Sequence, residues 1–467
     1  MAVGLAESVG HWVTALDWRD VPQDVREATV RGVLQSVAGG VAGFGMDETN
    51  VAVEIARRER ERGDYTIYVD GMRVPVATAI FVHSVMFCAL EQQEMHIESG
   101  THPLEVIVPV AMVLAERRPT TGKEILEAIL AGTEVTVAFA KAGMACVPQA
   151  AEGACQYAAV YGTLGAAVTA ARLLGLDAQA TTWALSHAAN LASGLTQCLR
   201  AGTTEYHYAL ANASRTGYMV ARLAEAGAAA TPDVFLGNAG FFRRFTGLGI
   251  EELAKYEVAE RITGHLGTVW EMPEHIYKRY AVHFNNLPFV DAAKHLRNHY
   301  HIAPEDVEAI HLTINQWCEL CDGKNLGPYT GRESTCGATA FGVAAMLARG
   351  QFTLAENEDH DAPDIMQLVR RTTIDTFDDP QEAADWKSVK VEVLAHGTTY
   401  GYDSKLDGVP DYRLPLDEIR TIGEAALSRV IESHAAARVV DDLARLPEIA
   451  DVASLIPLLV RQTKESI

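Results

Sequence analysis

Positive charge is scarce in this sequence. Its 467 residues include 39 lysines and arginines against 61 aspartates and glutamates, which gives a formal net charge of -22. A surface of this sign repels nucleic-acid phosphates and anionic lipids, so we expect neither nucleic acid nor a membrane as a partner. An anionic substrate would need a local cluster of basic groups that works against the overall field.

Long apolar runs and targeting signals are also missing. No uninterrupted apolar segment approaches the roughly 20 residues that span a bilayer. The N-terminal stretch MAVGLAESVGHWVTALDWRD has no basic region followed by an apolar one, so we expect no signal peptide. The seven cysteines are odd in number and widely scattered, which favours free thiols in a reducing compartment. We therefore expect a cytoplasmic protein.

The common fingerprints of cofactor binding and catalysis are absent as well. The sequence contains no GxGxxG, GxxxxGK[ST], GxSxG or HExxH, so nucleotide binding, serine hydrolysis and zinc proteolysis have no local support. Cys318 and Cys321 have the spacing of a metal or redox pair, but no second pair accompanies them and plain thiols are the simpler interpretation. We expect no cofactor and no metal ion.

Helical patterns dominate the first 265 residues. The apolar spacing that begins after Pro22 predicts a helix, which we expect Gly39 and Gly40 to end. Further helices are predicted at about 104–117, 122–142, 162–174, 178–194 and 212–227. Several of these segments are apolar nearly all round, as in the middle of a bundle, so they indicate a large all-α domain.

The pattern changes after about residue 270. Residues 307–314 and 389–393 alternate like strands, a short extended piece follows at 398–402, and helices are predicted near 335–348 and 362–371. Helical spacing returns from Leu416. The sequence therefore predicts a mainly α fold. A large all-helical domain, residues 1–268 and 406–467, carries an inserted smaller α+β lid domain, residues 269–405.

One stretch combines acids and histidines. The segment ALEQQEMHIESGTHP, from Ala89, contains Glu91, Glu94, His96, Glu98 and His102. Pro103 suits the first position of a helix, so His102 lies near a helix N-terminus, where the dipole disfavours imidazolium and favours a substrate carboxylate nearby. A solvated polar loop would explain the same cluster without any function, and two histidines at irregular spacing are a weak metal signature.

A second stretch, HIYKRYAVHFNNLPFVDAAKHL, places Lys278 among aromatic residues, with His283, Asn285 and Asn286 beyond it. A lysine shielded by aromatic rings can lose hydration and shift towards neutrality, and it then serves as a base or as a carboxylate anchor. An ordinary exposed lysine is the alternative.

These stretches resemble motifs of the MmgE/PrpD family. ALEQQEMH…THP is similar to the family's ALDFDDTH…HPS, and KRYAVHFNNLPFVDAA to KPYPCCRFTHPAIDAA. YGTLGAAVTAARLLGLD, ANASRTGYMVARLAEAG and AAMLARGQFTL resemble its later helices, so the similarity runs from about residue 10 to residue 430. The resemblance implies a helical domain split in sequence, a smaller lid, homodimers, and proton transfer beside the carboxylate of a small organic acid.

The resemblance also assigns site residues. Glu91 and Glu94 fall on the first and last acids of the family motif, His96 and His102 on its histidines, and Lys278 on its lid-side lysine. We therefore expect Glu91, His96, His102 and Lys278 to be catalytic. The resemblance further implies that His102 and Lys278 face one cleft from opposite domains.

Other positions depart from the family motifs. Gln156, followed by Tyr157, replaces the histidine of GxHxT, Tyr206 replaces the lysine of TKxLHxG, and Asn286 and Leu287 replace a threonine and a histidine. Losing that lysine removes a strong anchor for a tricarboxylate, so we expect a substrate with fewer carboxylates than methylcitrate. The two tyrosines could be acid/base groups or could simply pack at helix ends. The expected substrate-binding residues are Glu94, Gln156, Tyr157, Tyr206, His283 and Asn286.

Three functions fit these observations. The leading interpretation is a dehydratase-type lyase that removes a proton alpha to a carboxylate and expels hydroxide from the neighbouring carbon. The second is an isomerase or epimerase that removes and returns a proton on a related acid. The third is a degenerate paralogue that binds a ligand or a partner without turnover. The first two take a small carboxylate as their substrate.

Overall fold

The computed structural model describes residues 4–147, 155–198 and 203–461. These residues divide into two compact units. The first contains residues 4–147, 155–196, 205–277 and 413–461, and the second contains residues 197–198, 203–204 and 278–412. Apart from the short stretch before Glu205, the chain leaves the first unit after Tyr277 and returns to it at Arg413.

The first unit is built from helices and one short hairpin. Its helices up to Tyr277 are α1 (Leu5–Ala15), α2 (Gln23–Ala42), α3 (Asp47–Glu59), α4 (Val76–Cys88), α5 (Pro103–Ala115), α6 (Gly122–Cys146), α7 (Tyr157–Leu174), α8 (Ala178–Leu191), α9 (Glu205–Glu225), α10 (Phe241–Thr246), α11 (Ile250–Leu253) and α12 (Val258–Thr263). The hairpin pairs β1 (Tyr65–Thr66) with β2 (Arg73–Val74) in antiparallel fashion. Among the described residues, no helix is both long enough and apolar enough to cross a membrane.

The second unit is a mixed sheet with helices. Its strands β3 (Val307–Ile314), β4 (Thr372–Thr376), β5 (Lys390–Ala395) and β6 (Thr398–Asp403) lie in the order β4-β3-β5-β6. The β3–β4 pair is parallel, and the other two pairs are antiparallel. The helices are α13 (Leu287–His299), α14 (Gln316–Leu320), α15 (Arg332–Gly337), α16 (Thr339–Arg349), α17 (Leu354–Glu358), α18 (Pro363–Val369), α19 (Pro380–Ala384) and α20 (Ser404–Asp407).

The first unit is completed by the end of the chain. Here α21 (Leu416–Leu427) and α22 (Ser433–Ala444) pack against α2. The centre of the unit is formed by α5, α6, α7 and α9, and α7 contacts the other three. Helices α6 and α7 approach each other closely at Gly132 and Gly165, where a Cβ on either residue would collide with a threonine hydroxyl of the other helix. Small residues at this crossing let the two backbones pack closely.

The structure confirms the mainly α fold, and it corrects several predicted helix ends. Gly39 and Gly40 do not end α2, which continues to Ala42. A side chain at position 40 would overlap the Phe87 ring, so this glycine serves helix packing rather than termination. The helices predicted at 162–174 and 212–227 begin earlier, at Tyr157 and Glu205. In the second of them the polar first turn, Glu205 to Tyr208, hides the apolar spacing.

The predicted strands of the second unit are confirmed as β3, β5 and β6. The helix predicted near 335–348 is instead two helices, α15 and α16, which are separated by the extended residue Ala338. Strand β4 was not predicted. Only one of its five residues, Thr372, is buried, so the strand lacks the apolar alternation on which a sequence-based prediction depends.

Candidate active site

The acid- and histidine-rich segment connects α4 to α5 inside the first unit. Its backbone doubles back at a short 3-10 turn, Ile97–Ser99, so that His96 pairs with Thr101. Met95 pairs in turn with Ile276, which brings the segment from Glu271 to Ile276 alongside. Of the nine polar residues in the acid- and histidine-rich segment, six are buried, two are half-buried, and Glu98 alone is exposed. A solvated polar loop is therefore excluded.

His102 is the N-cap residue of α5, with Pro103 at the first helical position, as the sequence predicted. Its Nδ1 lies 2.7 Å from the Glu94 carbonyl oxygen. Because a carbonyl can only accept, Nδ1 carries the proton and donates it, so Nε2 is the proton-accepting nitrogen of the neutral ring. The Glu94 carboxylate also accepts the Leu104 N–H at 2.8 Å. Glu94 therefore orients the histidine and caps the helix.

His96 uses both ring nitrogens within the same unit. The Ser99 N–H donates to Nδ1 at 3.2 Å, and Nε2 donates to a Glu271 oxygen at 3.1 Å. Lys141 donates to the other Glu271 oxygen at 2.8 Å. Burial alone would raise the pKa of Glu271, but the hydrogen bonds from His96 and Lys141 outweigh it and lower that pKa to about 2. This geometry favours a positioning role for His96, and its catalytic role stays a prediction.

Glu134 on α6 fixes the segment that carries Glu271. Its two oxygens accept the backbone N–H groups of Glu271 and Met272 at 3.0–3.1 Å. Burial raises the pKa of the Glu134 carboxyl to about 8, although these hydrogen bonds oppose the shift. A buried carboxyl thus attaches the 271–276 segment to a central helix.

His275 completes a group of three histidines. Its side chain is fully buried, its ring centroid lies 5.2 Å from that of His96, and its Nδ1 is 3.8 Å from a Glu94 oxygen. Neither ring nitrogen has a hydrogen-bond partner among the described residues. The pKa of His275 is well below its usual value. Burial is the main cause, and the nearby His96 and His102 rings add to it. His275 is therefore neutral at physiological pH.

This buried histidine predicts acid sensitivity. Above pH 6.5 the His275 ring is neutral in both the folded and the unfolded chain, but below it only the unfolded chain takes up the proton. The free energy of unfolding should therefore fall as the pH drops below 6.5, by up to about 1.4 kcal/mol per pH unit from this group. In urea titrations from pH 8 to pH 5, His275→Phe is expected to show a shallower fall than the wild type. If the free energies of unfolding of the two proteins fall in parallel as the pH drops, the prediction is contradicted.

Glu91 and Tyr206 form a second pair in the first unit. Glu91 has a φ of 55°, a left-handed conformation that is uncommon outside glycine and often found at functional sites. Its carboxyl accepts a hydrogen bond from the Tyr206 hydroxyl, and both side chains are buried. Tyr206 lies in the first turn of α9. It therefore hydrogen-bonds an acid of the predicted motif, which excludes simple packing at a helix end.

Removing this hydroxyl should weaken the fold. Tyr206→Phe keeps the ring but takes one donor from the buried Glu91 carboxyl, and we expect the free energy of unfolding to fall by about 1–2 kcal/mol. Urea denaturation at pH 7.5 measures this change. Tyr256→Phe is a suitable control because Tyr256 is only partly buried and its hydroxyl makes no hydrogen bond to any other described residue. Equal losses in the two variants would show that the Glu91 contact contributes nothing.

Gln156 and Tyr157 lie at the start of α7. The Gln156 N–H donates to the Gly194 carbonyl at 3.2 Å, and its buried side-chain oxygen has no hydrogen-bond partner among the described residues. Tyr157 is half-buried, 5.9 Å from the Tyr161 ring, and lies beside Gly100 of the histidine-rich segment. Their roles in substrate binding stay predictions.

The other predicted residues belong to the second unit. Lys278 is its first residue after Tyr277 and is 1% exposed, so the interpretation as an ordinary exposed lysine is wrong. Asn286 donates to the carbonyls of Cys336 and Gly337 at 2.9–3.0 Å and accepts from Thr339, which fixes the junction of α15 and α16. His283 is half-buried near the same junction. Substrate binding by His283 and Asn286 stays a prediction.

The cysteines and acids offer no metal centre in the described part of the chain. No group of three or more histidine, cysteine or acidic side chains there could hold an ion. Cys318 is a free, fully buried thiol whose pKa burial raises to about 12. Such a thiol stays protonated and is a poor ligand or nucleophile.

Sequence reasoning missed Glu271, His275 and Glu134. Glu271 and His275 come shortly before Lys278, and their nearness to that predicted residue was the only signal. Glu134 lies in the middle of an apolar helix, where an isolated acid indicates a buried partner. Long-range pairing joins these residues, and spacing along the chain does not reveal it.

Comparisons with known proteins identify the family of this chain. The MmgE/PrpD N-terminal domain matches residues 7–251 and the MmgE/PrpD C-terminal domain matches residues 280–407. A cis-aconitate decarboxylase-like protein, oryM, of Aspergillus oryzae is 25% identical over 96% of both chains. A cis-aconitate decarboxylase of Aspergillus terreus is 22% identical over 98% of this chain and 96% of its own. The human cis-aconitate decarboxylase is 25% identical over 64% of this chain and 61% of its own. Since the two family domains together match most of its length, this chain belongs to the MmgE/PrpD family.

Proposed function

We propose that this protein is a metal-independent lyase that acts beside a carboxylate of a small organic acid. One observation carries the proposal. His102 stands at the N-terminus of α5 with Nδ1 donating to the Glu94 carbonyl, which leaves Nε2 as the proton-accepting nitrogen. Two relatives are named a cis-aconitate decarboxylase-like protein and a cis-aconitate decarboxylase, and these names support a lyase that acts on an acid of this class.

In the proposed reaction Nε2 of His102 takes the proton alpha to a carboxylate. The electron pair of the broken C–H bond forms the double bond, and hydroxide leaves from the neighbouring carbon with a proton from an acid, as water. The positive end of α5 stabilises the negative charge that develops on the carboxylate. If carbon dioxide is the leaving group instead, no C–H bond breaks first. The electron pair of the broken C–C bond stays on carbon, and His102 that has been protonated by solvent donates its Nε2 proton to that carbon and becomes neutral.

An anionic substrate also needs a cation. Arg31 on α2 is half-buried, and its Nε is buried without a hydrogen-bond partner among the described residues. Burial raises the pKa of the Tyr277 hydroxyl. The positive charge of Arg31 opposes this rise and the negative charge of Glu94 adds to it, so both side chains lie close to the hydroxyl. We propose that Arg31 and Lys278 hold substrate carboxylates, with Lys278 assigned by the family resemblance.

An isomerase or epimerase is the second candidate. The observation that favours it is the buried Glu91–Tyr206 pair, which provides a second proton-carrying group besides His102. Removal and return of a proton from two sides needs two such groups and no acid for a leaving group.

Proton NMR distinguishes these functions. A panel of di- and tricarboxylates is incubated with the enzyme in deuterated water, with His102→Asn protein as the control. A vinyl signal that the control does not produce supports the lyase. Solvent deuterium in an acid that loses neither water nor carbon dioxide supports the isomerase. No exchange with any acid would overturn both and leave the non-catalytic interpretation.

Activity is also expected to survive removal of metal ions. Overnight dialysis against 1,10-phenanthroline and EDTA should leave the rate of vinyl product formation within about twofold of the untreated enzyme, since side chains supply the acid, the base and the anion site. Loss of activity that a divalent ion restores would contradict the proposed mechanism.

A further inference from the structure

A cavity of about 600 Å³ opens in the first unit at the far end of α5. It is lined by the β1–β2 hairpin, the residues that follow α5 and the segment after α22, including Thr66, Arg73, Glu116, Arg117 and Arg461. His102 caps the other end of this 13-residue helix. At 1.5 Å per residue, the cavity and the candidate active site are about 20 Å apart along the helix.

Positive charge is in excess around this cavity. Glu116 is the only carboxylate in its described lining, against three arginines. The Glu116 side chain is 5% exposed, and it already accepts hydrogen bonds from Thr66 N–H, Thr66 Oγ1 and Arg73 at 2.6–3.1 Å. The nearby Asp70 is paired with Arg57. The cavity lining is therefore locally positive, although the chain as a whole has a net charge of -22.

Main-chain carbonyls hold two of the arginines in place. Nε of Arg117 donates to the Asp64 carbonyl at 2.6 Å, and Nε of Arg461 donates to the Val430 carbonyl at 3.2 Å. Within the described residues Arg461 has no acidic partner, and Arg117 has only Glu116, at 4.0 Å. The hydrogen bond at Nε fixes each guanidinium and leaves its terminal nitrogens to bind a ligand.

We propose that this cavity binds a small, multiply charged anion, a phosphate or a polycarboxylate, through Arg73, Arg117 and Arg461. Guanidinium groups form paired, charge-assisted hydrogen bonds with the oxygens of both anions. The volume lies in the range of small-ligand sites, roughly 300–1,000 Å³. The site is independent of the proposed lyase reaction.

Thermal unfolding of the full chain tests the proposal. Sodium phosphate and tricarballylate are titrated from 0.1 to 10 mM at constant ionic strength, with sodium chloride as the reference. An anion that binds only the folded chain raises Tm in a saturable way. Arg117→Gln and Arg461→Gln are each expected to raise the concentration needed for half the effect by about tenfold or more, since each removes a charged hydrogen-bond donor.

Arg58→Gln is the matched control. Arg58 belongs to the same unit, pairs with Glu54 on the surface of α3 and is not among the residues that line the cavity, so its variant should respond like the wild type. The anion that saturates at the lower concentration identifies the ligand class. A rise in Tm that is equal in all variants is a general salt effect and overturns the site. If tricarballylate binding is lost in His102→Asn and kept in the arginine variants, tricarballylate binds at the candidate active site. That result overturns the cavity as a site for polycarboxylates.

Discussion

His102→Asn is expected to lower kcat by at least about a hundredfold while leaving the protein folded. The asparagine amide can still donate to the Glu94 carbonyl, as Nδ1 does at 2.7 Å, but it has no nitrogen that accepts a proton. Removing a positioned acid/base group typically costs about a hundred- to ten-thousand-fold in rate. The measurement is kcat and KM for the substrate that the NMR panel identifies, together with the rate of deuterium exchange.

His187→Asn is a matched control for this variant. His187 is also half-buried in the first unit, and its Nε2 hydrogen-bonds the Ala228 carbonyl at 3.1 Å. The control variant should keep kcat within about twofold. A His102→Asn enzyme with a kcat near that of the wild type would remove His102 from the mechanism, whatever the effect on KM.

Lys278→Gln should lower kcat/KM by about a hundredfold. Glutamine is close in length to lysine but carries no charge, so a substrate carboxylate loses a charge-assisted hydrogen bond. Because Lys278 is 1% exposed, some loss of stability should accompany the loss of activity. Rates are therefore normalised to the folded fraction, measured by circular dichroism at the assay temperature.

The exposed Lys294 on α13 supplies the control, as Lys294→Gln removes a lysine of the same unit without burial. The double variant His102→Asn, Lys278→Gln gives a second test. If both residues act on one substrate, the fraction of wild-type kcat/KM that the double variant keeps should be well above the product of the fractions that the two single variants keep. Groups that act together are not independent. Fully multiplicative losses would argue that the two residues serve separate steps.

Much of the fold could be predicted from local patterns. Apolar spacing located the central helices, alternation located β3, β5 and β6, and Thr121 with Glu124 forms the capping box that begins α6. The errors occurred where tertiary contacts outweigh local preference. Gly40 breaks helices on average, yet it lies inside α2 because the Phe87 ring occupies the space of its side chain.

The candidate site was predictable only where it is local. Pro103 marked the helix start and so placed His102 at the N-terminus of α5. Glu271 could not be found this way, since its hydrogen bond to His96 joins residues that are 175 positions apart. His275 gave no pattern of its own, because a buried neutral histidine looks in sequence like any other.

The return of the chain to the first unit affects how the protein folds during synthesis. Most of α2 is buried, partly against α21 and α22, but Ala42 leaves the ribosome long before Leu427 is made. At roughly 5–20 residues per second, this interval lasts about 20–80 s. The part of α2 that packs against α21 and α22 therefore lacks these partners during that time, while the second unit emerges. Slow translation between Tyr277 and Arg413 would therefore prolong this interval and increase aggregation of the nascent chain.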